Sequence, residues 1–443
     1  MSNPTGTIDL NEKDLSLRNY IFETAKNILK LRGATQIETP VIELLETVEK
    51  MYGGEFNKLV YNINDDGQKL ILRYDLTVPL ARYVGSNGIS KLKRFQYGKV
   101  YRRDNPQIQK GRYREFYQFD YDIVGDDQNS NSNDLEMLET MNTILNSIIG
   151  KNTYTTKINY KNIVIELLAY ANIEANLFST VFSSLDKLDK KSFNEIKNEL
   201  IQKNISNYSI DKLEKIYLNF QNKNNQESLN TMKDLNIFSA NNISYLENIM
   251  SFLFKLNIDN FIIDPFLIRG MDYYTGIIFE VTYNDKNIME STISAGGRYD
   301  DMIEKFSTRG RIPAIGMSLG VERIAKILEL TTFKNNETCK TPDIFVATVG
   351  KNMTTEKILL ASKLRQLGYY TVFSDLAEPD MRQQFATVFE KYNNIIPVMI
   401  VIGEKEINNN VLTIKDINKK VQKVIQRNDV DLTNIINEII QSK

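Results

Sequence analysis

Gly98–Gly125 reads GKVYRRDNPQIQKGRYREFYQFDYDIVG. It gathers Arg102, Arg103, Lys110, Arg112 and Arg114 around a turn predicted at Pro106, then enters an alternating strand. Tyr117, Phe119 and Tyr121 fall on one side of that strand, Gln118, Asp120 and Asp122 on the other. A strand, a basic loop and a return strand suit a polyphosphate, because guanidinium forks match phosphate oxygens bidentately. The acidic return strand offers a place for a cationic group beside it. The plainer reading is a solvated charged hairpin, and only the rest of the chain can decide against it.

Outward from the hairpin, 443 residues are too many for one ordinary core, so two or three domains are expected. No apolar run is long enough to span a bilayer, and the polar start MSNPTGTIDLNEKD predicts neither a signal core nor an Arg-rich presequence. The single cysteine, Cys339, excludes an internal disulfide framework and fits a reducing cytoplasm. Net charge is -1, so any nucleic acid must be held by local patches. Histidine is absent, which removes Ser–His and Cys–His chemistry and the commonest metal ligand. Chemistry here must run on positioning and electrostatics, with or without a phosphate-bound metal ion.

Along the chain, Leu17, Ile21, Ala25, Ile28 and Leu29 recur at helical spacing, with Gly33 as a stop. Thr35–Leu45 breaks at Pro40 and reads as a strand leaving a turn. Leu70–Leu80, LILRYDLTVPL, alternates and predicts a strand with Asp75 and Thr77 on one face. Leu135–Ile149 reads as a helix. Residues 170–255 shift to amphipathic Lys-, Asn- and Leu-rich helices, expected to be a separately packed insertion whose lysines are mostly solvated. Strand patterns return at Phe261–Ile268 and Gly276–Tyr283, on either side of RGMDYYTG. SAGGRYD (Ser294–Asp300) and IPAIGMSLGVERI (Ile312–Ile324) follow, the latter a strand, a break at Gly320 and a helix with Arg323 in its first turn. The glycines Gly296, Gly297, Gly316 and Gly320 suit either turns or close backbone approach to a ligand. A polar linker, 331–341, leads to a βαβαβ pattern over 342–443, predicted as a small α/β domain on a mostly parallel sheet. Neither a P-loop nor a G-x-G-x-x-G fingerprint occurs.

The hairpin, RGMDYYTG, SAGGRYD and GMSLGVERI, in this order, closely resemble the histidyl-tRNA synthetase family of class II aminoacyl-tRNA synthetases. The RRDNP form of the hairpin resembles the eukaryotic-type branch, and the likeness runs from Pro4 to the C-terminal domain. The resemblance implies an α+β fold: a class II catalytic domain on an antiparallel sheet (1–330), interrupted by the helical insertion, then the linker and an anticodon-binding-type domain (342–443). It implies activation of histidine with ATP to histidyl-adenylate and pyrophosphate, then transfer to the 3′ end of tRNA(His). A cytoplasmic homodimer is expected, with Pro40 at the dimer interface and magnesium arriving with ATP; protein ligands for the metal are not assigned. The other reading is a non-catalytic relative that senses histidine or tRNA.

The resemblance also distributes roles. Arg102 matches the arginine that binds the α-phosphate, Arg269 the arginine between carboxylate and α-phosphate, and Arg323 the arginine at the terminal phosphate. Arg112 and Arg114 would serve the outer phosphates or the tRNA end. Asp104 would face the adenine amino group, and Phe116 would stack on the ring. Asp75, Thr77 and Gln118 resemble the cradle for the amino-acid ammonium. Asp122 would accept from the imidazole N–H and the Tyr274 hydroxyl would meet the other nitrogen, with Tyr273 and Tyr299 as walls. Taken singly, the four polar strand residues are ordinary exposed positions and the tyrosines ordinary core. The chain departs from the pattern at Ile8, where many members have arginine, and KINYKNIV (Lys157–Val164) lacks an expected polar Asn-Arg element. The pattern is loose around Asp380–Ala386, and Lys415, Lys419, Lys420, Lys423 and Arg427 are candidate backbone contacts to tRNA.

Overall fold

The structure is a computed structural model that describes residues 2–52, 58–65, 67–125, 131–268, 273–333, 341–376, 379–391 and 396–441. The chain divides into two compact units, Met1–Thr338 and Cys339–Lys443. In the first, the described strands are β1 (Thr35–Gln36), β2 (Ile42–Leu44), β3 (Asn62–Asn64), β4 (Lys69–Leu72), β5 (Leu92–Tyr101), β6 (Glu115–Val124), β7 (Tyr154–Tyr160), β8 (Phe261–Ile263), β9 (Ile277–Tyr283), β10 (Thr292–Arg298) and β11 (Ala314–Gly320). Eight of them form one sheet in the order β1-β5-β6-β11-β10-β9-β7-β8. The interior pairings are antiparallel, and β1 and β8 join the edges in parallel. β2, β4 and β3 make a small separate sheet.

The predicted hairpin is β5–β6, in register from Leu92↔Val124 to Tyr101↔Glu115. Its alternation does what the sequence requires. Phe95, Phe119 and Tyr121 are buried in the core, while Arg94, Gln118, Asp120 and Asp122 occupy the other face. The core face is covered by three helices, Glu12–Lys30, Ser132–Ile149 and Val321–Leu330. The first is capped by Asn11, whose side chain accepts from the Asp14 amide while the Asp14 carboxylate accepts from the Asn11 amide. It buries Leu17, Ile21, Phe22, Ala25 and Leu29.

Three expectations fail here. LILRYDLTVPL is not one strand: β4 ends at Leu72, and Thr77–Ser86 is a helix. The Asp75 carboxylate accepts from the Val78 amide at 3.0 Å, and Pro79 sits in the first helical turn, where no amide donor is needed. The strand read over Phe261–Ile268 stops at Ile263. The helices of the insertion are not separately packed. Val181, Leu185, Ile196, Leu213, Ile243 and Leu253 belong to the same hydrophobic cluster as the strand residues Ile158, Phe261 and Phe279.

The second unit holds β12 (Ile344–Val349), β13 (Thr371–Phe373), β14 (Val398–Gly403), β15 (Val411–Asp416) and β16 (Val421–Gln426), in the order β13-β12-β14-β15-β16. The first three pair in parallel, as expected of βαβαβ. β15 and β16 add antiparallel strands, making the sheet mixed. The helix expected over Met381–Tyr392 is α-helical only over Met381–Ala386 and continues as a wider turn to Lys391; Tyr392 lies outside the described residues. The linker, mostly 334–340, lies outside them too. No helix among the described residues is long and apolar enough to cross a membrane.

Candidate active site

The polar face of the large sheet floors a cavity of about 620 Å³. It is lined by Asp75, Thr77, Arg102, Asp104, Arg112, Phe116, Gln118, Asp122, Tyr273, Tyr274, Tyr299 and Arg323, residues that lie far apart in the chain. Two of the expected site residues are not among them. Arg114 turns away: its amide donates to the Gly6 carbonyl at 2.8 Å and its Nε to the Asp104 carbonyl at 3.1 Å, so it fastens the hairpin to the N-terminal segment. Arg269 lies outside the described residues.

At the mouth, Arg102 is held before any ligand arrives. Its Nε donates to the Tyr74 carbonyl at 3.1 Å. The guanidinium lies 4.3 Å from the Tyr74 ring centroid and 5.2 Å from that of Phe116. Asp104 is an ion-pair partner of Arg112 at 2.7 Å, so its carboxylate is already engaged. Arg323 donates to the Thr292 carbonyl and packs beside Gly111 of the hairpin loop. Its helix is pinned to β6 by its neighbour Glu322, which accepts from the Tyr117 amide at 3.1 Å and pairs with buried Arg18.

Deeper in, Arg94 of β5 and Gly316 of β11 flank Asp122 in register. Arg94 is fully buried and pairs with Asp122 at 2.8 Å. The Tyr299 hydroxyl donates to the other carboxylate oxygen. Burial pushes the Tyr299 phenol well above its ordinary range, which keeps it a donor. Any side chain at position 316 would collide with this unit, because a Cβ there would lie 1.9 Å from Asp122 Oδ1. Gly296 is equally constrained, its would-be Cβ lying 2.2 Å from the Gly316 carbonyl oxygen. Both glycines sit within strands, not turns. Tyr273 and Tyr274 stack obliquely at 4.6 Å, and Tyr273 meets Tyr299 edge-on at 6.3 Å. Gln118 donates to Ser318 at 2.9 Å, and its carbonyl oxygen is buried without a hydrogen bond.

Sequence reasoning assigned no role to Asp120, Arg94, Tyr74 or Ser318. The β6 alternation itself points to Asp120, which shares the face of Gln118 and Asp122. Asp120 lines the cavity, is buried, and leaves one carboxylate oxygen without a hydrogen bond. Burial pushes its carboxyl up to about 7, with Arg94 opposing and Asp122 adding to the shift. Near neutrality Asp120 is therefore divided between acid and carboxylate, and only the carboxylate attracts a cation. A cationic amino acid in the cavity is expected to bind more tightly as pH rises from 6 to 8, by up to about tenfold. Calorimetry with histidine tests this. Asp120→Asn should remove that part of the pH dependence.

The fold is that of a class II aminoacyl-tRNA synthetase: an antiparallel sheet whose arginine-bearing hairpin, glycine-bearing strands and terminal helix close over one cavity. A histidyl-tRNA synthetase family model matches residues 6–324, and an anticodon binding domain model matches residues 343–442. The chain belongs to the histidyl-tRNA synthetase family. It is 35% identical over 438 residues to a cytoplasmic histidine–tRNA ligase of Dictyostelium discoideum, covering 97% of this chain and 89% of that protein. It is 36% identical to the cytoplasmic enzyme of Oryza sativa subsp. japonica, covering 96% of this chain and 53% of the longer relative. The crystal structure of histidyl-tRNA synthetase from Nostoc sp. PCC 7120 superposes with a TM-score of 0.76 at 22% identity, covering 99% of each chain.

Proposed function

We propose that the chain is a histidine–tRNA ligase that activates histidine with ATP and transfers it to tRNA(His). The observation that carries this is one cavity in which Arg102, Arg323 and Phe116 stand at the mouth and Gln118, Asp120 and Asp122 line the floor. In the first step an ionised histidine carboxylate oxygen attacks the α-phosphorus. A carboxylate–phosphorus bond forms, the α–β bond breaks, and its electrons leave with pyrophosphate. No general base is needed, since the nucleophile is already an anion at neutral pH. In the second step a terminal ribose hydroxyl of the tRNA attacks the adenylate carbonyl; an ester bond forms, the carbonyl–phosphate bond breaks, and AMP and a proton leave.

Two anions must meet in that first step, so the site's work is charge neutralisation and alignment. Arg102, prefixed against Tyr74 and Phe116, would take the α-phosphate. Arg269 would lie between that phosphate and the carboxylate. Arg323 and Arg112 would serve the far end of the triphosphate. Phe116 would stack on adenine, with Asp104 at the base edge. The ammonium would enter among Asp75, Thr77 and Gln118. Asp122, held by Arg94 and Tyr299, would accept from the imidazole N–H, with Tyr274 at the opposite nitrogen. Arg114 is better placed to hold the hairpin than to touch ATP. Magnesium would enter with ATP as part of the substrate; no group of acidic, cysteine or histidine ligands for it occurs among the described residues.

The same reading includes a cytoplasmic homodimer. Exposed Val41, Ile42 and Leu44, just after Pro40, support an interface there. For tRNA, Lys419 and Lys420 are exposed at the β15–β16 turn, whereas Lys423 faces Glu438 and Arg427 pairs with Glu356. The experiment is histidine-dependent ATP–pyrophosphate exchange with magnesium, followed by aminoacylation of transcribed tRNA(His). Exchange and charging are expected. Histidine binding without either would favour the sensing relative instead.

A further inference from the structure

The segment that links β8 to β9 carries the RGMDYYTG sequence, and its described ends, 264–268 and 273–276, are tied down by one stretch of chain. Lys157 and Asn159 share the face of β7 opposite the core residues Tyr154 and Ile158, and Lys161 follows two residues on. Asn159 is fully buried, and its amide group donates to the carbonyls of Pro265 and Leu267, each at 3.0 Å. Its own carbonyl oxygen accepts from the Tyr160 amide at 2.8 Å, which fixes the orientation of the side chain. On the far side of the segment, Lys161 Nζ donates to the Tyr274 carbonyl, and its amide donates to Gly276 at 2.9 Å. Lys157 pairs with Asp264 at 3.1 Å, where the segment begins, and also with Asp189 of the insertion. The KINYKNIV stretch, read from sequence as lacking a polar Asn-Arg element, thus presents Asn159 and Lys161 in a working pair.

We propose that Lys157, Asn159 and Lys161 form a clamp that sets the positions of residues 264–268 and 273–276. Through these residues they align Tyr273 and Tyr274, which line the cavity, with Lys157 tying that alignment to the insertion. Asn159 and Lys161 are positioning residues: neither lines the cavity, and each acts on backbone carbonyls that a loose loop would leave to water. The two carbonyls gripped by Asn159 precede position 269, and the one gripped by Lys161 belongs to Tyr274, which lines the cavity. Loss of either grip removes one tie from its end of the segment, which other bonds such as that of the Thr275 amide to the Arg298 carbonyl only partly replace, and small misplacements are costly when two anions must be brought into line. The kinetic half of this inference rests on the ligase reading; the mechanical half does not.

The test uses the full chain and two readouts. Hydrogen exchange is followed at the amides of Phe266–Ile268 and Tyr273–Gly276 in wild type, Asn159→Ala, Lys161→Met and Lys161→Arg. Faster exchange confined to these amides is expected in the first two variants, with near wild-type protection in Lys161→Arg. Unchanged protection in Asn159→Ala and Lys161→Met overturns the clamp, whatever the activity. ATP–pyrophosphate exchange, normalised to active sites, is then expected to show kcat lower by about 10- to 100-fold in Asn159→Ala and about tenfold in Lys161→Met, with ATP KM nearly unchanged and Lys161→Arg restored. Loosened amides with wild-type kcat remove the positioning role. If Asn159→Ala does not fold, the rim variants Lys161→Met and Lys161→Arg decide both readouts. Absence of exchange activity in wild type would count against the ligase reading alone, since the amide measurement still judges the clamp.

Discussion

Arg102→Ala is expected to lower histidine-dependent ATP–pyrophosphate exchange by about a thousandfold while leaving the protein folded. The magnitude follows from what the residue would do. Removing one prepositioned donor from developing charge typically costs about a hundred- to a thousandfold in rate, and a guanidinium facing the α-phosphate also carries full charge. The prepositioning is visible: Nε is anchored on the Tyr74 carbonyl and the plane sits near two aromatic rings. The fold should survive because Arg102 is only half-buried and makes no salt bridge among the described residues. The loss should fall on kcat more than on ATP KM, since the transition state carries charge in the line of attack that the ground state does not. Arg102→Lys should recover a minor part, because an ammonium restores charge without the planar fork that lies beside Tyr74 and Phe116. A folded Arg102→Ala protein with exchange within about tenfold of wild type would remove the residue from the reaction.

The β5–β6 hairpin was legible because two signals agreed, an alternating strand and a loop rich in arginine. The same alternation placed Gln118 and Asp122 on one face, and the order of the later motifs brought Tyr274, Tyr299 and Arg323 to it. Three kinds of fact were not legible. One is a local competition: Leu70–Leu80 alternates like a strand, yet Asp75 accepts from the Val78 amide at the start of a helix that takes Pro79 in its first turn, and that local bonding prevails over pattern there. Another is tertiary sharing: the insertion's apolar faces look self-sufficient but complete the core of the sheet. The third is partner choice. Nothing in KLKRFQ distinguishes Arg94 from its basic neighbours, and only register against Asp122 makes it the buried cation. Arg114 lies off the cavity lining for a related reason, since a basic loop residue can as well hold the N-terminal segment as a phosphate. In the second unit, β15 and β16 flank the Lys419–Lys420 turn, and their antiparallel return makes a mixed sheet of an expected parallel one.

Arg94→Met is the substitution expected to cost most in stability, about 3–5 kcal/mol at neutral pH. Arg94 and Asp122 stand opposite each other on paired strands, both buried, and Tyr299 completes the unit. Deleting the cation strands a carboxylate that burial already pushes above the ordinary range. The sign with pH follows. Without Arg94 the folded state holds the Asp122 proton still more tightly, so the penalty vanishes below the unfolded carboxyl's pKa and grows as pH rises through the folded one. Denaturant midpoints for Arg94→Met should therefore approach wild type toward about pH 4–5, near the model-peptide value of about 3.9 for aspartate. The double variant Arg94→Met/Asp122→Asn separates structure from recognition. A neutral amide beside the introduced methionine can still accept from Tyr299, so much of the stability should return, giving a coupling of at least about 1 kcal/mol in the double-mutant cycle. Histidine binding should not return, because the amide lacks the charge that Asp122 would offer the imidazole N–H. Recovery of tight histidine binding along with stability would mean that Asp122 serves the fold and not the amino acid. A penalty independent of pH would mean that Arg94 acts through packing, with its charge incidental.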